Sequence, residues 1–409
     1  NPMKNFSRPS KIRSLAIASC LGIAIFSCQP EETLNFDNSN SLEFVKYQNG
    51  DLIPGQYIVV MKPTGLNSRK DLSYQGTQEA MRRSSISLLA KYRISEENLG
   101  QVYGSTIEGF AVKLTDEQAG IIASDPSVSY VEQDRIIALA PPPGKGPGGG
   151  GGTSPSQTIP WGITRVNGGA VYTGSGVAYI IDSGIDSGHE DLNVNVSLGF
   201  NAFSKGKDSD LGSDGNGHGT HVAGTVAAID NGIGVVGVAA GATVVPIKVL
   251  DSRGSGSYSG VIAGVDFVGA NGKAGDVANM SLGGGFSQAM NDAVIAASSR
   301  VKFSLAAGNE DQLASNTSPA SANGPNIYTI SAMDSNDRIA SFSNYGNPPV
   351  DYAAPGVGVL STVPGGYATY GGTSMAAPHV AGILLWGNVR TDGTLIQDKD
   401  STLDPIAVR

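Results

Sequence analysis

The sequence predicts an α/β protein, a mainly parallel sheet with helices on both faces, preceded by a small α+β domain. Beyond residue 161, short apolar runs alternate with Gly- and Ala-rich helical stretches, a pattern typical of parallel strands that are buried on both faces. Residues 52–139 mix strand and helix periodicities on a smaller scale. A Pro- and Gly-rich stretch, 140–156, separates the two patterns and indicates a linker between two domains.

Composition and charge exclude several classes of protein. The chain has 409 residues, of which 40% are hydrophobic and 15% charged, unlike a disordered chain or a coiled coil. Its net charge is −9, and residues 153–409 carry 21 acidic and 12 basic side chains. A nucleic-acid-binding domain needs clustered Lys and Arg to displace counterions, so we expect no nucleic-acid partner.

The N-terminus predicts an exported protein. Residues 1–28 contain a basic start and an apolar stretch too short to span a bilayer comfortably, as in a signal peptide. Residues 25–28 resemble the lipobox of bacterial lipoproteins, which implies lipidation at Cys28 and a membrane-anchored precursor. Cys20 ends a second local match, and an ordinary signal peptide with incidental cysteines is the alternative. Both cysteines lie in this segment, so no disulfide is expected downstream.

The N-terminal region is predicted to contain a tether, a small domain of strands and helices, and a linker. Residues 29–51, rich in Asn, Glu and Ser, predict a tether. In 52–139 we expect strands at 56–61, 109–114 and 127–137, and helices at 72–92 and 115–124. The glycine run at 148–152 is interpreted as a solvated linker. It is not interpreted as a phosphate loop, because no Gly-Lys-Ser/Thr follows it and it does not connect a predicted strand to a predicted helix.

Residues 157–409 contain the runs that predict the parallel sheet, at 176–181, 243–250, 276–280, 301–306 and 326–331. Asp182 ends the first run and therefore lies at the carboxyl end of a strand, where open α/β sheets place their sites. His218 and Ser374 each follow glycines that lead into a small-residue helix. Amide acyl transfer needs a serine oxygen, an imidazole base and a carboxylate that orients it, and this chain supplies them in the order Asp, His, Ser.

The sequence segments around these residues are similar to the three signature motifs of the subtilisin-like serine proteases. They are residues 181–185, 218–224 and 372–379. The resemblance covers residues 157–386. It implies a subtilisin-like fold and a serine endopeptidase that cleaves proteins or peptides, with Asp182 as orienter, His218 as base and Ser374 as nucleophile. Residues 306–310 match the oxyanion block of the family, so Asn309 and the Ser374 N–H are the expected oxyanion donors.

Residues 52–139 resemble the inhibitor-type, ferredoxin-like propeptide of the same family. The resemblance implies a zymogen held inactive by its own propeptide. The chain is then expected to cleave itself after Leu139 or Ala140, before Pro141, Pro142 and Pro143, which lack the N–H that an added strand must offer. Removal of the propeptide by another protease, or its retention, is the alternative.

Two segments resemble those with which the family binds an extended substrate chain as an added strand. Both are also Gly/Ser loops of a common kind, and only their spacing from the triad blocks distinguishes them. The predicted substrate-binding residues are Gly254, Ser255, Gly256, Ser281, Leu282 and Gly283.

A structural calcium site is also implied by the resemblance. Calcium prefers several oxygen ligands, including backbone carbonyls of a loop. The expected ligands are side-chain oxygens of Gln157, Asp191 and Asn231 and carbonyls of Ile229, Ile233 and Val235. The acidic residues 392, 398, 400 and 404 offer another candidate, but a solvated, turn-rich terminus is the favoured interpretation.

Two other functions would require different sequence features. A pseudoprotease that keeps the fold as a binding protein would need no intact triad. An esterase of another fold would need a Gly-x-Ser-x-Gly elbow, from which residues 372–376 depart at the last position, and another triad order. His221 and His379 are interpreted as structural histidines within helices, and His189 as a loop residue.

Overall fold

The N-terminal domain forms where apolar periodicity runs through residues 52–139. The structure, a computed structural model, describes residues 48–69, 71–139 and 155–409. Polar caps begin both helices: Ser73 accepts a hydrogen bond from the Gly76 N–H, and Thr115 forms a capping box with Gln118. The elements are β1 (Leu52–Met61), α1 (Tyr74–Lys91), β2 (Leu99–Tyr103), β3 (Gly109–Lys113), α2 (Asp116–Ala123) and β4 (Val128–Ala138), with 3₁₀ turns at Leu66–Ser68 and Glu96–Asn98.

The strands of this domain form an antiparallel sheet in the order β4-β1-β3-β2. The apolar faces of both helices share one core with the sheet, around Leu89, Phe110 and Ile122. Strand β2 is not among the predicted strands, because its sequence, Leu-Gly-Gln-Val-Tyr, has only a weak alternation of apolar residues.

The first described part of the C-terminal domain, up to residue 297, contains thirteen helices and strands. They are α3 (Trp161–Arg165), β5 (Ala170–Val171), β6 (Ala178–Asp182), β7 (Asn193–Val194), β8 (Phe200–Asn201), α4 (His218–Ala227), β9 (Ala239–Ala240), β10 (Thr243–Lys248), β11 (Ser255–Ser257), α5 (Tyr258–Asn271), β12 (Val277–Met280), β13 (Gly284–Gly285) and α6 (Gln288–Ala297). The remainder comprises β14 (Lys302–Ala306), β15 (Thr317–Ser318), β16 (Ile327–Met333), β17 (Val350–Pro355), β18 (Val359–Val363), β19 (Gly366–Tyr370), α7 (Thr373–Leu385), β20 (Arg390–Thr394) and β21 (Pro405–Val408), with 3₁₀ turns at Val196–Leu198, Lys207–Ser209 and Ala314–Asn316.

The central sheet is mainly parallel, in the order β20-β21-β17-β16-β14-β12-β6-β10-β7, and β8 also pairs with β10. Of these pairs, β20 with β21 is antiparallel. Alternate residues of β6 enter different cores: Tyr179 and Ile181 face the core with α5 and α6, whereas Ala178 and Ile180 face the core with α4 and α7. Helices therefore cover both faces, which confirms the predicted fold class.

The two domains share a continuous antiparallel ladder. The end of β4 pairs with β11, with Ala138 opposite Ser255 and Ile136 opposite Ser257. Buried carboxylates complete the interface in both directions. Asp134 of the N-terminal domain accepts from the Ser259 N–H at the start of α5, and Asp266 of α5 accepts from backbone N–H groups of residues 104–106. Each carboxylate thus satisfies backbone donors of the other domain.

The acidic C-terminus is partly solvated, as the sequence favoured: Asp392 is exposed and Asp398 and Asp400 are half-buried, but Asp404 is buried. Strand β21 joins the central sheet beside β17, and Asp404 is 1% exposed. The Ser331 hydroxyl donates to one Asp404 oxygen, while the other has no hydrogen-bond partner among the residues described. Burial, with the charges of Asp398 and Asp400, raises the pKa of Asp404 to about 7. The nearby Lys399 ammonium is bound to Asp311 and to loop carbonyls instead.

We expect Asp404→Asn to stabilise the protein at neutral and alkaline pH. A carboxyl whose pKa is raised on folding keeps its proton between about pH 4 and 7, where the unfolded chain has lost it, so stability falls as pH rises through this window. The variant should gain about 2–4 kcal/mol of unfolding free energy at pH 8 and almost nothing at pH 4. Urea unfolding in a Ser374→Ala background measures this, with the exposed Asp210→Asn as control. Equal gains at both pH values would contradict the assignment.

No helix among the residues described has the length and apolarity needed to cross a bilayer. The predicted signal peptide, Cys28 and most of the tether lie outside the described residues.

Candidate active site

Asp182 lies at the carboxyl end of β6 and is completely buried. Its backbone carbonyl accepts from the N–H groups of Val249 and Leu250 at the end of β10, and its Oδ1 accepts from the Ser183 N–H at 2.7 Å. These bonds fix both the backbone and the carboxylate, so the carboxylate points in one direction.

His218 is the first residue of α4 and contacts that carboxylate directly. Its Nδ1 lies 2.9 Å from both Asp182 oxygens. Because a carboxylate only accepts, Nδ1 carries the proton and Nε2 is left as the acceptor. Gly219 permits the close approach of α4 to the strand end, since a Cβ there would lie 2.1 Å from the Gly184 carbonyl oxygen.

The environment of His218 favours the protonated imidazole. Burial alone lowers the pKa of His218, but the charge and hydrogen bond of Asp182, with a smaller contribution from Asp214, outweigh it and hold the pKa above its ordinary value. The pair is therefore suited to accept a proton from a neighbouring hydroxyl.

Asp214 organises the approach to His218 and was missed by the sequence analysis. Its oxygens accept from the Ser183 hydroxyl, the Gly217 N–H, and both the N–H and hydroxyl of Thr220. It therefore ties the residue after Asp182 to the first turn of α4. An Asp followed by turn residues before a helix is the signal that could have indicated this role.

Ser374 lies in the first turn of α7, after Gly372, whose φ of 146° places it in a region that favours glycine. Its hydroxyl donates to the Ser281 carbonyl at 3.0 Å, and the Ser281 hydroxyl donates to the Ser374 carbonyl at 2.7 Å. The N–H groups of a first helical turn lack intrahelical partners, so the Ser374 N–H is a candidate anion donor.

Asn309 follows β14 and is oriented by the start of α7. Its side-chain oxygen accepts from the Thr373 N–H at 2.8 Å and from the Thr373 hydroxyl at 3.0 Å. Since the oxygen is engaged, the amide nitrogen is the free donor. Asn309, His218 and Ser374 line one cavity of about 460 Å³, together with Leu139 from the end of the N-terminal domain.

Comparison with known proteins decides the family. The sequence profile of the subtilase family matches residues 175–386, and that of peptidase inhibitor I9 matches residues 56–140. The chain belongs to the subtilase family. It is a subtilisin-like serine protease with an I9 propeptide, which confirms the family and enzyme class that the sequence predicted.

Relatives of known function agree with this assignment. Alkaline serine exoprotease A of Vibrio alginolyticus is 41% identical over 345 residues, which cover 81% of this chain but 60% of that protein's length. Subtilisin E of Bacillus subtilis (strain 168) is 39% identical over 310 residues, covering 73% and 76% of the two chains. The crystal structure of a cold-adapted subtilisin-like serine proteinase is 39% identical, with a TM-score of 0.53, over 60% of this chain and 96% of that one.

In this subtilase, the two predicted substrate-binding segments have different neighbours. Gly254, Ser255 and Gly256 border the propeptide strand: β11 pairs with β4, and the Leu139 N–H donates to the Gly254 carbonyl at 2.9 Å. Ser281, Leu282 and Gly283 follow β12, and Leu282 and Gly283 line the cavity. The carbonyl of Gly283 accepts from the Asn49 side chain.

The other histidines of the subtilase serve the fold. His221 stacks on Tyr370 at 4.3 Å, and burial lowers its pKa to about 3. The Nδ1 of His379 bonds to the Met375 carbonyl one helical turn earlier, and burial lowers the pKa of His379 to about 4. His189 accepts from the Asp191 N–H and bonds the Gly366 carbonyl.

The structure also brings the predicted calcium ligands together. Residues 156 and 158 bridge to 233 and 235, and the Ile229 N–H donates to the Asp191 carbonyl. Asp191 is fully buried, and burial raises its pKa. Its Oδ1 has no hydrogen-bond partner within the described chain, so a buried oxygen faces this loop unsatisfied, as a cation ligand would.

The amide oxygens of the predicted calcium ligands are engaged by the loop itself. Gln157 Oε1 accepts from the Asn231 and Gly232 N–H groups, and Asn231 Oδ1 accepts from the Ile233 N–H. Among residues 48–69, 71–139 and 155–409, no group of three or more His, Cys, Asp or Glu side chains is placed to hold a metal. The predicted set has a single carboxylate, and since both amide oxygens are engaged, the groups that best fit a cation are the Asp191 Oδ1 and the backbone carbonyls of the loop.

Proposed function

We propose that this subtilase is an exported endopeptidase made as a zymogen, and that Asp182, His218 and Ser374 are its catalytic triad. The observation that carries the proposal is the convergence of the His218–Asp182 pair, Ser374 and Asn309 on one cavity that the propeptide strand also reaches. A pseudoprotease would have no need for an imidazole oriented by a buried carboxylate beside a serine at a helix start.

The reaction begins with the Ser374 hydroxyl. Rotation of the side chain from the Ser281 carbonyl towards His218 lets Nε2 take the proton while Oγ attacks the substrate carbonyl carbon. Asp182 keeps the proton of His218 on Nδ1 and stabilises the imidazolium. The Asn309 amide nitrogen and the Ser374 N–H donate to the developing oxyanion. His218 then gives its proton to the leaving amine, and water hydrolyses the acyl-serine by the same steps.

Protein and peptide chains are the proposed substrates. An extended chain offers backbone groups to a strand edge whatever its sequence, and residues 255–257 already pair in this way with β4 while the Gly254 carbonyl accepts from the Leu139 N–H. Residues 281–283 would supply the second edge. The acidic charge of residues 153–409 gives no support to a nucleic-acid substrate.

A fluorophosphonate probe tests the proposal, because it reacts covalently with an activated serine. Processed wild-type protein should be labelled at Ser374, and Ser374→Ala should not be labelled. Ser299→Ala, which changes an exposed serine, should label as wild type does. A processed, folded wild-type protein that resists the probe would favour the pseudoprotease.

Calcium is proposed as a structural ligand at Gln157, Asp191, Asn231 and the carbonyls of residues 229, 233 and 235. When bound, it would supply positive charge to the unsatisfied Asp191 oxygen and link three segments of the chain. It takes no part in the steps above.

Chelation should therefore lower the thermal midpoint of inactive Ser374→Ala protein. A ligand at a hundredfold excess over its Kd stabilises the folded state by about 2.7 kcal/mol, and EDTA removes this contribution. Asp191→Ala should abolish the difference between calcium and EDTA, whereas the exposed Asp210→Ala should keep it. A midpoint unchanged by EDTA in the Ser374→Ala protein would refute the calcium site.

Export and lipidation at Cys28 complete the proposal. They rest on the sequence of residues 1–28, whose basic start and short apolar stretch are typical of a signal peptide. If the lipid is present, the anchor belongs to the propeptide side of the cleavage point, so maturation would release the protease from its membrane anchor.

A further inference from the structure

The segment immediately before β1 lies in the substrate cleft. Residues 48–51 precede the I9 match, which begins at residue 56, and belong to the stretch that the sequence predicted as tether. Gln48 and Asn49 nevertheless line the same cavity as Ser374 and Asn309. Neither matched domain accounts for this placement.

Backbone bonds attach this segment to β4, along the same edge that pairs with β1. The Gly50 N–H donates to the Ile136 carbonyl, and the Ile136 N–H donates to the Asp51 carbonyl, both at 2.9 Å. The opposite edge of the same strand is paired with β11. Residues 136–138 are therefore flanked on both sides, by 255–257 and by 49–51.

Asn49 fills the remaining gap with its side chain. Its Oδ1 accepts from the Ala138 N–H at 3.1 Å, and its Nδ2 donates to the Gly283 carbonyl at 2.9 Å. A Cβ on Gly284 would lie 2.6 Å from the Tyr258 hydroxyl and 3.0 Å from Asn49 Oδ1, so glycine there leaves room for both side chains. The amide thus connects the propeptide strand to the second predicted substrate-binding segment.

We propose that residues 49–51 are a second inhibitory element, an edge clamp pinned by Asn49, which holds the propeptide end in the cleft and covers the second substrate-binding segment at Gly283. The clamp rests on the proposed function, since it acts on the same cleft. A substrate strand needs both edges, and the clamp occupies one of them while the propeptide strand occupies the other. Release of the propeptide then requires loss of the Asn49 bridge as well as the β4–β11 ladder.

The test uses the full chain after self-cleavage, as the complex of propeptide and protease. The rate constant for the appearance of activity on a chromogenic peptide, after dilution of the isolated complex, reports propeptide release. Loss of two hydrogen bonds should make Asn49→Ala release about tenfold faster than wild type. Gln48→Ala lines the same cavity without forming the bridge and should release at the wild-type rate.

A second variant separates the two bonds. Asn49→Asp keeps an acceptor for the Ala138 N–H but loses the donor to the Gly283 carbonyl, so it should also release faster than wild type. Wild-type release by both Asn49 variants would overturn the clamp. Failure of both to process, while Gln48→Ala processes, would assign Asn49 to folding and also overturn it. If the proposed function itself is wrong, wild type will neither process nor hydrolyse the peptide.

Discussion

Ser374→Ala is expected to abolish nearly all peptidase activity, lowering kcat on a peptide substrate on the order of 10⁶-fold, the size of the effect known for the related enzyme subtilisin. The reason is that nucleophile and base act as one unit, so His218→Ala should cost a similar factor and the double variant little more. Initial rates on casein and a chromogenic peptide measure this. Because the variants cannot mature themselves, each is first processed by added wild-type enzyme that is then removed.

Asn309→Ala provides a graded comparison. It removes one proposed oxyanion donor and leaves the His218–Asp182 pair intact, so kcat should fall by about 10²–10³ with little change in KM. The exposed Ser299→Ala is the control for processing and purification. A normal rate on casein for purified Ser374→Ala would refute Ser374 as the nucleophile.

The pH dependence follows from the His218 environment. Only the neutral imidazole accepts the serine proton, and Asp182 holds the pKa of His218 above its ordinary value. kcat/KM should therefore fall as pH decreases through that pKa. In a plot of kcat/KM against pH, the midpoint of this fall should lie at a higher pH than the pKa of a free histidine.

The strands of the central sheet could be predicted because each is encoded by a run of apolar residues within its own segment. The apolar run 176–181 became β6 (Ala178–Asp182), and the run 243–250 contains β10 (Thr243–Lys248). A fully apolar run cannot tell which residue enters which core, but strand alternation decides it once helices lie on both faces. Strand β2, by contrast, is held by pairing with β3 rather than by its own pattern.

Among the C-terminal acids, Asp404 was misinterpreted for a related reason. Residues 398–404 are polar and rich in turn formers, which favours exposure. Asp404 is buried because β21 pairs with β17, a contact set by an element about fifty residues earlier. The burial of a polar residue was fixed by its neighbour in the sheet, which local composition does not contain.

The candidate site divides in the same way. Short sequence motifs, with glycines before a helix, mark the functional residues Asp182, His218 and Ser374. Asn49 lies in no such motif, and its two partners, Ala138 and Gly283, are 89 and 234 residues away. Its placement follows from the docking of one domain on another, which required the structure.

Maturation should depend on Ser374. The Leu139 N–H bonds the Gly254 carbonyl, and Leu139 lines the cavity that contains Ser374, so the chain just beyond β4 reaches the proposed nucleophile. We expect wild type to cleave itself after Leu139 or Ala140, with trimming before Gln157. Ser374→Ala made in a protease-poor host should remain one chain. Intact mass and N-terminal sequencing of both proteins identify the products.

An intramolecular cut has a kinetic signature. Its rate should not depend on protein concentration, whereas cleavage of one molecule by another should speed up in proportion to it. Dilution of freshly folded wild type over a hundredfold range distinguishes the two. Identical products from wild type and Ser374→Ala would instead assign the cut to a host protease.

The fate of the membrane anchor follows from the position of the cut. Since Cys28 precedes the propeptide, lipid on Cys28 would leave the inhibitor with the membrane and the protease in solution after cleavage. Labelled fatty acid should then appear in the propeptide fragment of wild type and in the intact chain of Ser374→Ala, which should sediment with membranes. Cys28→Ser should lose the label without losing cleavage, because the reacting groups lie in other parts of the chain. Unlabelled wild type that is cleaved normally would reject the anchor and leave the self-cleavage in place.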